Sequence, residues 1–79
     1  MLDISYISNQ KDREMIQYIR EYFVKNLTVP TLRQIAQELG YKSISSVWVH
    51  LDRLELLGYI KKTGKTYAVL GAKITFDGE

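Results

Sequence analysis

The chain of 79 residues is 46% hydrophobic and 25% charged, the make-up of one small globular domain that buries only about 60% of its unfolded surface. It has no cysteine, which excludes a disulfide framework and a thiolate metal site and fits a reducing, cytoplasmic setting, and it shows neither a basic leader segment nor an apolar run of about eighteen residues, against secretion or a membrane span. A net charge of +2 marks neither a strongly basic nor a strongly acidic chain, so any charge-driven partner has to be read from how the charges are distributed.

Residues 1–8 have an ambiguous apolar–polar pattern and read as an N-terminal arm. Asn9 is a good N-cap, with Asp12 at the third helical position, where the helix dipole favours an acid. Met15, Ile16, Ile19, Tyr22 and Phe23 then mark an amphipathic helix running to about Lys25. Asn26 to Val29 reads as an extended connector, because a residue before proline is pushed out of the α region. Thr31 and Gln34 form a capping box in front of Leu32, Ile35, Ala36 and Leu39, and Gly40 supplies the C-terminal residue a helix favours. Ser43 is a second N-cap, and Val47, Leu51 and Leu54 follow at i, i+4 and i+7. Two short helices joined by a four-residue turn, the second opening on small hydroxyl residues, form the helix-turn-helix that enters a DNA major groove.

Gly58 ends this third helix, and Tyr59 to Lys62, Thr63-Gly64, and Lys65 to Leu70 read as two strands around a glycine turn. The predicted fold is mostly α with a small β-hairpin, a winged helix-turn-helix of three helices and a two-stranded wing. Its binding domain would span residues 9–70, with a C-terminal tail at 71–79 in which Ala72 to Phe76 form either a further short strand or a docked segment. The first 38 residues balance five acids against five bases. Lys42 between Leu39 and Leu51, and Lys61, Lys62, Lys65 and Lys73 between Leu56 and Phe76, have no acid beside them. Segments free of carboxylates suit a polyanion.

Pro30-Thr31, Ile35-Ala36-Gln37, Leu39-Gly40-Tyr41-Lys42-Ser43, His50-Leu51, Leu54 and Gly58-Tyr59-Ile60 stand at ungapped spacing. In these pieces, residues 9 to 70 resemble the N-terminal DNA-binding domain of the LexA repressor. The resemblance implies sequence-specific binding of double-stranded DNA, transcriptional repression, and base contacts from the positions matching Ser43, Ser45, Ser46, Trp48 and Val49. Trp48 departs from the family, which carries polar or small residues there. The family's C-terminal self-cleaving serine–lysine protease and dimerisation domain has no counterpart in these residues, so self-cleavage is not carried over. A bacterial or phage-type cytoplasmic protein associated with the nucleoid when bound is the implied setting.

On a helical wheel Ser45, Ser46, Val49 and Arg53 turn away from the core, and Trp48 lies to one side near Asp52 and Glu55. Serine hydroxyls donate to or accept from base edges, and Val49 or Trp48 suits a thymine methyl. Arg33, Lys42, Arg53, Lys61, Lys62 and Lys65 are the candidates for the DNA backbone. Leu56 and Leu57 depart from the family's polar residues, and with Ile74 and Phe76 they suggest an association surface for the tail or a second subunit. A competing reading is a protein-interaction module that docks on another regulator or on polymerase through Trp48, Val49 and Leu56.

His50, the single histidine, has no Cys, His or carboxylate at metal-ligand spacing and reads as a partly buried structural residue. Asp52 and Glu55 read as a solvated helix face. Gly64-Lys65-Thr66 mimics the end of a phosphate-binding loop, but position 59 is Tyr where that motif needs glycine, and a strand pattern follows. No nucleophile is accompanied by a base, so neither an enzyme nor a cofactor, metal or small-molecule substrate is expected.

Overall fold

In the computed structural model, which describes residues 3–71, the chain runs α1 (Gln10–Asn26), α2 (Leu32–Leu39), α3 (Ile44–Leu56), β1 (Ile60–Thr63) and β2 (Thr66–Val69). This is the winged helix-turn-helix predicted from the sequence. Each helix starts where its cap stands. The Asn9 side chain accepts from Asp12 N at 3.0 Å, and the Ser43 side chain accepts from Ser46 N at 3.3 Å. At α2 both halves of the capping box form: Gln34 N donates to Thr31 Oγ1 at 3.1 Å, and Thr31 N donates to Gln34 Oε1 at 2.8 Å. Gly40 closes α2 in the left-handed region with φ +79°.

Two local details differ from the sequence reading. Helix α1 ends on Leu27, which adopts φ +59° although it carries a side chain, and its N–H bonds Phe23 O at 2.7 Å. The hairpin turn is Gly64-Lys65 rather than Thr63-Gly64, because Thr63 pairs with Thr66 and Ile60 with Val69. Gly64 has φ +61°, and a two-residue turn with a positive φ at its first central residue matches the right-handed twist of the strands. Lys65 therefore sits at the wing tip.

Helix α3 is the centre of the packing, in contact with α1, α2 and β1. Met15, Ile16 and Ile19 of α1, Ile35 of α2, Val47, Leu51 and Leu54 of α3 and Ile60 of β1 are all fully buried. Burying one such side chain contributes roughly 1.5–3 kcal/mol. The wing is joined to this core by Tyr67, whose hydroxyl donates to Pro30 O at 2.8 Å in the connector before α2. Burial pushes that hydroxyl far above its ordinary pKa, so it remains a donor.

The described part of the N-terminal arm packs against the body. Ile7 is buried, Arg13 Nη1 donates to Ile7 O at 2.6 Å, and Tyr59 Oη donates to Asp3 O at 2.6 Å. The short strand or docked segment expected at Ala72 to Phe76 lies outside the described residues.

Candidate nucleic-acid interface

The side of α3 opposite its buried stripe carries Ser45, Val49, Asp52 and Leu56, all exposed, at the i, i+4, i+7 and i+11 spacing of one helix face. Val49 is 51% exposed. The other expected base-contacting residues are distributed around this line. Ser43 is exposed but its hydroxyl caps the helix, and Ser46 is half-buried with its hydroxyl 3.2 Å from that of Ser43. Trp48 is half-buried on the wing side, and Lys62 Nζ lies 5.8 Å from its ring centroid.

Among the expected cations, Arg33, Lys42, Lys61 and Lys65 are exposed. Arg33 and Lys65 line one groove with Thr31, Ile44 and Thr66, between the start of α2, the start of α3 and the wing. Lys62 and Arg53 are engaged inside the molecule. Lys62 Nζ bonds the Asp52 carboxylate and lies 3.7 Å from Glu55 Oε1, while Lys62 N donates to Glu55 Oε2 at 2.7 Å. The hydrogen bond to Asp52 holds the Lys62 ammonium above the usual lysine range. Asp52, exposed as expected, and Glu55, half-buried, also clamp β1 to α3.

On the opposite flank of α3 stands a group that the sequence reading did not assemble. Asp12 of α1 is 1% exposed. Arg53 Nε donates to its Oδ2 at 2.8 Å and Arg53 Nη2 to its Oδ1 at 3.1 Å, a two-point grip. His50 Nδ1 lies 2.5 Å from Oδ1. An ionised carboxylate only accepts, so the proton of that contact belongs to Nδ1. The 2.9 Å approach of Arg53 Nη2 to the same nitrogen then joins two donors around one shared oxygen. Tyr41 flanks the imidazole, with ring centroids 5.2 Å apart. In the sequence, Asp12 is already accounted for by the helix dipole, and nothing local pairs it with residues about forty positions away; only the i, i+3 spacing of His50 and Arg53 hints at a shared partner.

Leu56 is 87% and Leu57 56% exposed. Both border an apolar groove with Tyr6 and Ile7. The remaining members of the expected association surface, Ile74 and Phe76, lie outside the described residues. Among the described residues, no cluster of His, Asp or Glu is arranged to hold a metal ion, and no helix is long and apolar enough to cross a membrane.

Comparison with known proteins gives one consistent family. Residues 8–66 match the LexA DNA binding domain. The LexA repressor of Carboxydothermus hydrogenoformans is 38% identical over 58 residues, covering 73% of this chain and 28% of that protein. The LexA repressor of Corynebacterium jeikeium is 34% identical over 68 residues, 86% of this chain and 25% of its own length. That of Shouchella clausii is 32% identical over 72 residues, 90% of this chain and 35% of its own length. The chain thus spans about a quarter to a third of the length of these relatives.

Proposed function

We propose, from the premise that the chain belongs to the LexA DNA-binding domain family, that it binds double-stranded DNA in a sequence-specific manner and represses transcription. In this reading residues 9–70 form the binding unit. Helix α3 enters the major groove by its N-terminal half, with Ser43, Ser45, Ser46, Trp48 and Val49 toward the bases. Arg33, Lys42, Lys61 and Lys65 meet phosphate from the two sides of that helix.

The observation that carries the reading is the exposure of Ser45 and Val49 on the face of α3 turned away from its buried Val47, Leu51 and Leu54. Lys62 supports it in another way, since it is bonded to the Asp52 carboxylate of α3 and so offsets negative charge on the groove-facing helix. Selection from random duplex DNA tests the proposal, followed by titration of the selected site against salt. Four phosphate contacts give a log K versus log salt slope of about −3.6. A slope near zero and no enriched site would refute it.

A second reading, docking on another regulator or on polymerase, is favoured by the exposure of Leu56 and Leu57. Changing Ser45, Ser46 and Lys61 separates the two: a DNA reader loses its duplex, whereas a docking module keeps its protein partner.

A further inference from the structure

We infer that the DNA site is recognised chiefly through thymine 5-methyl groups, with the exposed isopropyl of Val49 as the reading group and the Ser45 hydroxyl beside it. This rests on the DNA-binding reading above and specifies which feature of the duplex that face detects.

Guanine is read in the major groove by Arg or Lys, adenine by Asn or Gln, and cytosine by Asp or Glu. Helix α3 contains no Lys, Asn or Gln, and its one arginine, Arg53, grips Asp12 on α1 through Nε and Nη2. Asp52, the carboxylate on the outward line, is bonded to Lys62, and Glu55 accepts from Lys62 N. His50 is directed to Asp12 on the α1 flank. Every side chain of α3 suited to a charged or bidentate base contact is therefore engaged within the fold.

What remains on the outward line near the start of α3 is Ser45 and Val49. A hydroxyl accepts from or donates to any base and discriminates weakly, whereas an isopropyl group gains only where an apolar group meets it. The thymine methyl is the one such group in the major groove. Trp48, with Lys62 close to its ring on the wing side, borders the same face.

Replacing each thymine of the selected duplex singly by deoxyuridine removes the methyl and leaves base pairing unchanged. At the thymines facing α3, affinity falls roughly fourfold per methyl, and Val49→Ala, which keeps one methyl for that contact, loses part of the preference for thymine over uracil. Val49 is exposed, so this variant should keep its fold, as circular dichroism would check. If uracil changes nothing at any position while 7-deazaguanine weakens binding, methyl reading is overturned in favour of guanine contact by a cation such as Lys42, and DNA binding itself stands. If Val49→Ala retains the full thymine preference, the assignment to Val49 is overturned. If no duplex is enriched, this inference and the DNA-binding reading fall together.

Discussion

Burial by itself raises the pKa of the Asp12 carboxyl, but the hydrogen bonds from Arg53 and His50 outweigh it, and the group ends below the usual aspartate value. The sign of its pH effect follows. A carboxylate with a depressed folded pKa adds stability that is complete above its unfolded value of about 3.9 and is lost as pH falls through the folded value. Stability of the wild-type chain should therefore drop more steeply below about pH 4 than that of Asp12→Asn, as urea titrations across pH would measure. At neutral pH, Asp12→Ala should cost roughly 1–3 kcal/mol, because Arg53 and His50 each lose an acceptor. Arg53 keeps 42% of its side chain in water, which keeps the loss at the lower end.

Among the elements, the helix starts were legible and the ends less so. Caps act over three residues, and Asn9, Thr31 and Ser43 each begin a helix without help from the rest of the chain. At the end of α1 a leucine occupies a left-handed position that local preference reserves for glycine. Leu27 is 66% exposed, so Leu27→Gly gives up little burial and relieves the strain. A gain of up to about 1 kcal/mol is expected, raising the Tm by about 4–8 °C in a thermal melt.

The α3–β1 clamp is also an element-scale device. Lys62→Met should weaken duplex binding by uncovering Asp52 and Glu55, and adding Asp52→Asn and Glu55→Gln should restore most of it. Were Lys62 instead a phosphate contact, Lys62→Met would cost as much in the Asp52→Asn, Glu55→Gln background as in the wild-type chain. Measuring all four proteins on one duplex decides the point.

At the scale of the whole molecule, the exposed cations proposed to meet phosphate come from separate places in the chain. Arg33 comes from α2, Lys42 from the turn, and Lys61 and Lys65 from the wing. Removing Lys61 and Lys65 together should flatten the salt slope by about 1.8, while leaving the order of preferred sites intact. That order should change when Ser45 or Val49 is changed.

The sequence by itself determined the three helices, their caps and the hairpin, because hydrophobic period, capping and turn chemistry all act between residues a few positions apart. It also marked Val47, Leu51 and Leu54 as the buried stripe, and hence which side of α3 remained outward. Only the tertiary structure decided which charges are paired within the chain. Arg53 and Lys62 read in sequence as two more surface cations, yet one meets a carboxylate 41 positions away and the other a carboxylate on a different element. Such pairs leave no periodic trace, since their geometry exists only once α1, α3 and the wing have packed together.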